Sequence, residues 1–211
     1  NLASILMTGY RSTLNLTNLK LSKESLETVF TNLGIGTGLT ITITNNFGAP
    51  TPTSLSATTV AGSITIVMAN TTGLTVGMLM TGTGTPLTTG ISVTFADVGD
   101  LVNLASHGLS DNDVVSFSSI TSTTGIVINT IYYVVNSSSN SFQLSDSLGG
   151  AAKSLTTNGS GTLKYSSTIS SITPNTSITM TRPMVSSGTN TLAFRSLQTS
   201  PAILKGWTVT T

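Results

Sequence analysis

Near the N-terminus, apolar residues recur at a spacing typical of an amphipathic helix. Leu26, Val29, Phe30 and Leu33 follow the i, i+3, i+4, i+7 pattern that places side chains on one face of a helix. This pattern predicts a helix over residues 22–33, the only long helix in the chain.

Residues at both ends of this stripe favour helix boundaries. Ser22 is of a type that caps helix N-termini, and Glu24 would lie favourably in the first turn. Leu21 is placed to pack on Leu26 as a hydrophobic staple. Gly34 follows the last apolar position, where glycine commonly adopts the left-handed conformation that ends a helix.

Beyond the helix, apolar and polar residues alternate with the period of two that is typical of half-buried strands. Leu39, Ile41 and Ile43 alternate with threonines, and residues 45–48 are predicted to turn the chain. From residue 50 onward, short alternating segments recur between Gly-, Ser- and Asn-rich turns, which predicts small β-sandwiches or barrels. The later alternating positions include Ile64, Ile66, Met68, Tyr133, Val135, Ile178 and Met180.

The polar positions carry hydroxyls rather than charges. Charged residues make up 7% of the 211 residues, against roughly 25% in an average soluble domain, and Ser and Thr take their place. Such a surface fits an extracellular or particle-surface β protein better than a cytosolic enzyme.

Charge and hydropathy also limit the partners. The net charge is +1, no basic run is interleaved with aromatic residues, and no apolar run reaches about 18 residues. The sequence therefore predicts neither a nucleic-acid nor a membrane partner. Cys is absent, which excludes disulfides and thiolate metal sites.

Two distant segments resemble parts of one repeat domain. Residues 13–19 carry Leu14, Leu16 and Leu19 at a solenoid-like spacing, and the predicted helix follows them. Residues 13–48, together with residues 202–209, which contain a Lys-Gly-Trp sequence, resemble the last unit and C-terminal end of a BspA-type leucine-rich-repeat domain. In that family the two pieces are close in sequence, whereas here residues 50–199 intervene.

Two further sets of segments resemble small β modules of tailed-phage virion proteins. The first set includes a Gly-Thr-Gly turn and consists of residues 73–78, 81–84, 169–172 and 188–194. The second is contiguous, contains a His-Gly-Leu sequence and resembles a module repeated in phage tail and fibre proteins. It consists of residues 102–109, 113–117, 132–136 and 141–145.

These resemblances imply a mainly β fold with nested insertions. The implied domains are a leucine-rich-repeat-like end unit (1–49 plus 200–211), a β module (54–92 plus 166–196) and an inserted β module (93–165). Termini of compact domains often lie close together, which makes such insertions tolerable. The inserted module has five Asp and two Lys, a net charge of −3, and the remainder carries +4. Such a difference would allow the modules to face differently charged partners, but chance variation between small inserts is the favoured interpretation.

The polar residues around His107 are the first candidates for chemistry. A nucleophile–His–carboxylate site would need this histidine, because the chain has no other. Nearby in sequence are two possible nucleophiles and two carboxylates, namely Ser106, Ser110, Asp111 and Asp113. The same residues are typical of a turn that enters a strand, and the turn is the favoured interpretation.

The acidic residues favour neither a metal site nor glycosidase chemistry. Asp111 and Asp113 lack the Gly and Glu positions of a calcium-binding EF-hand loop. Glu24 and Glu27 would share one helix face as solvated charges, whereas a glycosidase needs two facing carboxylates. The sequence therefore predicts no catalytic residue, no metal and no cofactor.

Surface aromatic residues are candidates for sugar binding. These candidates are Tyr10, Tyr132, Tyr133, Tyr165 and Trp207. Tyr132 and Tyr133 would point to opposite faces of one strand, so one of them is expected in the core, and Trp207 is expected to pack in the end unit. Tyr132, Tyr133, Asp111 and Asp113 form the candidate receptor or partner surface.

The function expected from these features is structural. The resemblance implies a bacteriophage virion protein on the particle surface, as a capsid decoration or tail-fibre component, that acts by assembly and display rather than catalysis. Its partners would be other virion proteins and copies of itself. The alternative is a receptor-binding adhesin, phage or bacterial, that recognises a cell-surface glycan. The few acidic residues disfavour a polysaccharide-degrading spike.

Overall fold

The computed structural model describes residues 9–44, 46, 52–196 and 198–210. Its first elements are β1 (Leu14–Asn15), α1 (Lys23–Asn32) and β2 (Thr40–Thr42). The next are β3 (Thr53–Thr59), β4 (Thr65–Val67), β5 (Leu79–Gly82), β6 (Ile91–Ala96), β7 (Leu101–Asn103), β8 (Val114–Thr121), β9 (Tyr132–Val135), β10 (Ser141–Ser145) and β11 (Gly159–Tyr165). The last are β12 (Ile169–Thr173), β13 (Ser177–Met180), β14 (Gly188–Arg195), α2 (Ser200–Leu204) and β15 (Thr208–Thr210).

The strands form three sheets, so the fold is mainly β, as the alternation predicts. A parallel sheet has the order β1-β2-β15, and together with α1 and α2 it is called the parallel-sheet unit. A six-stranded sheet has the order β12-β13-β4-β3-β14-β5. The strands β6 to β11 close into a barrel in the order β10-β7-β6-β11-β8-β9.

The helix predicted from the apolar stripe is confirmed as α1. Leu26, Val29 and Phe30 are fully buried in one cluster with Ile41 of β2 and Trp207. Burial of this face against the parallel sheet supplies most of the stability that a helix of this length lacks in isolation.

The start of α1 is as predicted, and Gly34 follows the C-cap residue as predicted, but its backbone conformation differs from the expected one. The Ser22 side chain accepts a hydrogen bond from Ser25 N at 3.2 Å, which is an N-cap. Gly34 does not adopt a left-handed conformation, and Leu33 caps the helix at φ −59° and ψ 143°. A tertiary contact accounts for this difference. Lys205 Nζ donates to Thr31 O at 2.6 Å and to Leu33 O at 2.7 Å, so carbonyls at the end of the helix have a donor without a left-handed glycine.

The turn predicted at residues 45–48 lies outside the described residues except for Asn46. This buried side chain donates to Leu16 O at 2.7 Å and Ile43 O at 2.8 Å, and accepts from Leu21 N at 2.9 Å. The Asn46 amide therefore connects three segments: the residue after β1, the residue after β2 and the residue before the N-cap of α1.

The six-stranded sheet curls until its edges meet. Leu79 of β5 forms a bridge to Thr168, and Met80 N donates to Ser167 O at 3.1 Å. Most of the alternating positions predicted for this sheet face its core, namely Ile66, Met68, Ile178 and Met180. Ile64 is the exception at 44% exposed, because it precedes β4 and lies in the turn after β3.

Aromatic residues fill the core of the barrel. The Phe117 ring lies edge-to-face on Phe95 with centroids 5.3 Å apart, and Tyr132 lies 6.3 Å away. The register of β11 against β8 shifts between Thr162 and Leu163. Such an irregularity increases local bend and twist, which helps six strands to close.

Tyr165 is buried at the end of β11, and its ionisation opposes folding. Its hydroxyl has no hydrogen-bond partner within the described ranges. Burial raises the pKa of Tyr165 from 10.0 to about 12, and the charge of Arg182 opposes that rise. The pKa of Tyr165 is higher in the folded protein than in the unfolded chain. The contribution of Tyr165 to the free energy of unfolding is therefore fully present below pH 10 and is lost as the pH rises toward 12.

We therefore expect Tyr165→Phe to flatten the alkaline pH dependence of stability. Between pH 10 and pH 12 the free energy of unfolding of the wild type should fall by about 2–3 kcal/mol more than that of the variant. Urea denaturation at a series of pH values measures both slopes. Parallel slopes would contradict a buried neutral phenol at this position.

A small apolar cluster joins the three sheets. Leu79 of β5 packs with Leu87 and with Leu204 of α2, and Ile131 and Ile203 border them. This cluster positions α2 beside the barrel and forms the floor of the region described next. Within the described ranges, neither helix is long and apolar enough to cross a membrane.

Candidate partner-binding surface

Residues 104–113 form the loop that connects β7 to β8 and carry most of the polar candidates. Ser106 N donates to Ser139 O at 2.9 Å, and Asn112 N donates to Val134 O at 2.8 Å. These bonds hold the loop against the β9–β10 hairpin. A groove lies on each side of it.

His107 holds this loop in a turn. Its buried ring packs edge-to-face on Phe142 with centroids 5.2 Å apart, and Nδ1 accepts a hydrogen bond from Leu109 N at 2.9 Å. Burial lowers the pKa of His107, and the nearby backbone groups of Ser141 and Ser138 oppose that shift. The buried Nε2 has no hydrogen-bond partner among the described residues. These contacts agree with the turn interpretation of His107.

The two aspartates of the loop make different contacts. Asp111 Oδ1 accepts from Ser137 N at 2.8 Å. Asp113 Oδ2 accepts from Ser110 N at 2.7 Å and forms an ion pair with Arg182, which follows β13. Both carboxylates accept hydrogen bonds from backbone N–H groups, and Asp113 in addition ties the barrel to the six-stranded sheet.

We expect Asp113→Asn to lower the free energy of unfolding by about 1–3 kcal/mol. The Arg182 and Asp113 side chains are only 17% and 25% exposed, and Arg182 Nε is buried without a hydrogen-bond partner in the described structure. The variant would leave this guanidinium without its counter-charge.

Asp111→Asn is the matched control for this prediction. Asp111 forms no ion pair with any described residue, so its amide should change stability by less than about 0.5 kcal/mol. Urea denaturation of both variants measures the difference. Equal effects would mean that the Arg182–Asp113 pair contributes nothing.

The first groove, called the outer groove, is lined by residues 108–111 and 137–139. It is open and has a volume of about 550 Å³. Two of its hydroxyls form hydrogen bonds within the protein: Ser137 Oγ donates to Leu109 O at 2.8 Å, and Ser138 Oγ donates to Ser141 O at 2.9 Å. Ser110 and Ser139 also line this groove, and their hydroxyls form no hydrogen bond to any described residue.

The second groove, called the junction cleft, lies between the barrel and α2 and has a volume of about 350 Å³. Its barrel wall consists of Asn112, Asp113, Val114, Ile131 and Tyr133. The opposite side consists of Thr31, Ser166, Ser200, Pro201 and Leu204. The cleft therefore exists only where the barrel meets the parallel-sheet unit.

Only one of the paired tyrosines reaches this surface. The placement of Tyr132 in the receptor or partner surface is wrong, because Tyr132 is 2% exposed in the barrel core and its hydroxyl accepts from Val127 N at 2.8 Å. Tyr133 points outward, since successive strand residues alternate, and lines the junction cleft with Asp113. Asp111 lines the outer groove, so the four candidates are divided between the core and two separate grooves.

The remaining aromatic candidates serve the core. Trp207 is buried in the parallel-sheet unit as expected, and its Nε1 donates to Gly34 O at 2.8 Å. Tyr165 is buried in the barrel, and Tyr10 is half-buried against the cluster around α1. This leaves Tyr133 as the candidate aromatic side chain that lines a groove.

The acidic residues of α1 also have structural contacts. Glu27 lies 3.8 Å from Lys23 Nζ and accepts a hydrogen bond from Gln198 N at 2.9 Å. Among the residues that the structure describes, no group of three or more His, Asp or Glu side chains is arranged to hold a metal ion.

The sequence does not single out the far side of the junction cleft. Ser166, Ser200, Pro201 and Leu204 are distant in sequence from the loop that they face. A Ser-Pro pair is typical of a helix start and would have predicted α2, but nothing local in the sequence indicates that α2 lies beside Tyr133.

Comparison with known proteins adds no relative: no protein-family model, curated protein or solved structure matches this chain. The junction cleft combines an aromatic side chain, apolar walls and neutral polar groups. That combination suits binding of a ligand of mixed polarity.

Proposed function

We propose that this chain is a structural protein of a bacteriophage particle, exposed on the particle surface as a capsid decoration or a tail-fibre component. It acts by assembly and display, not catalysis, and its partners are other virion proteins and copies of itself. In this proposal the parallel-sheet unit is a leucine-rich-repeat-like end unit. The six-stranded sheet is inserted into that unit, and the barrel (93–165) is inserted into the sheet.

The observation that carries the proposal is that segments resembling a split phage-type module lie in one sheet. The β5 strand pairs with β14, with Gly82 opposite Leu192, although the barrel separates them in sequence. The β12 strand joins the same sheet through β13. This arrangement supports the idea that an uninterrupted module received the barrel as an insertion.

The two segments of the repeat-like resemblance also meet. Trp207 shares a buried cluster with Leu16 and Leu33, and Lys205 binds the last carbonyls of α1. The parallel pairing of β15 with β2 adds the C-terminal segment as the next strand of the sheet. These contacts support an end unit that was opened by the insertion.

The outer face of the six-stranded sheet suits a protein packed in many copies. Its outward residues are mainly hydroxyls, namely Ser54, Ser56, Thr58, Thr65, Ser177, Thr179, Thr189 and Thr191. A surface with few charges limits the repulsion between identical neighbours.

The test is the composition of purified particles of the virus whose genome encodes this chain. Quantitative mass spectrometry should find the chain in a fixed ratio to the major capsid protein, and absence from particles would rule the proposal out. Immunogold labelling with an antibody against residues 93–165 then distinguishes the two locations. Label over the head indicates a decoration protein, and label on the tail indicates a fibre component.

A second candidate function is that of a receptor-binding adhesin that recognises a cell-surface glycan. The junction cleft favours it, because Tyr133 lines a groove together with neutral polar groups. The fold would be the same, and the difference lies in a specific ligand.

A further inference from the structure

We propose that the junction cleft binds a neutral hexopyranose unit of a glycan, with Tyr133 as the aromatic platform. The inference rests on the display function proposed above, since only a displayed cleft meets a glycan, but its test needs no particles. It assigns a ligand class to a groove formed by the barrel and α2.

The polar groups of the cleft are available to a ligand. Asn112, Tyr133, Ser166 and Ser200 line it, and their side chains make no hydrogen bond to any other described residue. In the outer groove, by contrast, two of the four serine hydroxyls are already bound to backbone carbonyls, and the charged side chain of Asp111 lines the groove. Four free donor and acceptor groups around one cleft match the hydroxyl rim of a sugar ring.

The apolar side chains of the cleft fit the apolar face of a sugar ring. Val114 is 36% exposed beside Tyr133, its direct partner across β8 and β9, and Ile131, Pro201 and Leu204 complete the apolar surface. A pyranose has an apolar C–H face and a polar rim, so it can place its face on the tyrosine and its rim on the amide and hydroxyls.

Charge limits the ligand to a neutral one. Asp113 is the charged residue that lines the cleft, and Arg182 neutralises it. A phosphate, sulfate or carboxylate would find no unpaired cation there, and an ammonium group would compete with Arg182.

An extended peptide fits less well than a sugar. Peptides that add to a sheet need an unpaired strand edge. Here β8 and β9 pair with each other and with their other neighbours in the closed barrel, so the cleft offers no such edge.

The test uses the full 211-residue chain and a panel of methyl glycosides of glucose, galactose, mannose, N-acetylglucosamine and rhamnose. Saturation-transfer NMR should detect binding of at least one of them, and calorimetry should give its affinity. Methyl glucuronide is the charged comparator. Because the cleft exists only in the folded protein, the bound sugar should also raise the unfolding temperature.

Three variants locate the site. Tyr133→Ala should weaken binding by about tenfold or more, because the stacking surface is lost. Ser200→Phe should block the cleft from the α2 side without a change in the barrel. Asp111→Asn, in the outer groove, should bind like the wild type. Circular dichroism checks that each variant is folded.

Each outcome decides the inference. Binding that is lost in Tyr133→Ala and Ser200→Phe but kept in Asp111→Asn supports it. No binding by any neutral glycoside, equal binding by all variants, or binding of the glucuronide alone would overturn it. The virion role is judged separately by particle composition, so either proposal can fail while the other stands.

Discussion

Trp207→Ala is expected to lower the free energy of unfolding by about 3–5 kcal/mol. The indole is buried in the cluster that joins α1 to the parallel sheet, and its Nε1 donates to Gly34 O at 2.8 Å. Truncation removes the packing and leaves that carbonyl without its donor. Trp207→Phe keeps most of the apolar surface and should cost less, about 1–3 kcal/mol.

A second substitution tests the same contact from the other side. A Cβ at Gly36 would overlap the Trp207 indole, so Gly36→Ala alone should cost about 1–3 kcal/mol. In the Trp207→Ala background the overlap disappears, and Gly36→Ala should then be nearly neutral.

The two costs should therefore not add. Trp207 is the single tryptophan of the chain, so urea denaturation has to be followed by circular dichroism rather than by tryptophan fluorescence. Additive costs in the double variant would contradict the packing of Trp207 on Gly36.

Phe117→Ala is expected to cost about 3–5 kcal/mol in the barrel. Its ring is fully buried and contacts Phe95 edge-to-face, so the variant loses an aromatic pair and creates a cavity. Phe117→Leu is the control, and its smaller loss of volume should cost clearly less. A cost below about 1 kcal/mol for the alanine variant would contradict the described barrel core.

Phe117 and Trp207 belong to separate buried clusters. Their alanine variants should therefore combine additively to within about 0.5 kcal/mol. A large coupling would indicate that the small cluster around Leu204 transmits packing changes between the barrel and the parallel-sheet unit.

Local patterns of the sequence determined several elements correctly. The apolar stripe and Ser22 determined α1, because a helix depends on contacts within a few residues along the chain. Alternation determined that the fold is mainly β and that Tyr132 and Tyr133 face opposite ways. The polar residues around His107 indicated a turn, because two of the bonds that shape it, Leu109 N to His107 Nδ1 and Ser110 N to Asp113 Oδ2, join residues two or three positions apart.

Tertiary structure decided which side of each pattern is buried. Alternation makes the two faces of a strand different, but it does not say which face meets the core. It therefore leaves open which of Tyr132 and Tyr133 is buried, and in the structure it is Tyr132. Gly34 shows the same limit: Lys205, far away in sequence, supplies the donors that end the helix.

Only the tertiary structure decided the pairing of strands and the candidate site. Barrel closure, the pairing of β5 with β14 and the position of α2 beside Tyr133 all join residues far apart in the chain. A period of two marks a residue as strand without specifying the partner strand, since that choice depends on the combined packing of all the sheets. The junction cleft therefore could not be predicted from any one segment, because its walls come from segments that meet only after the chain has closed on itself.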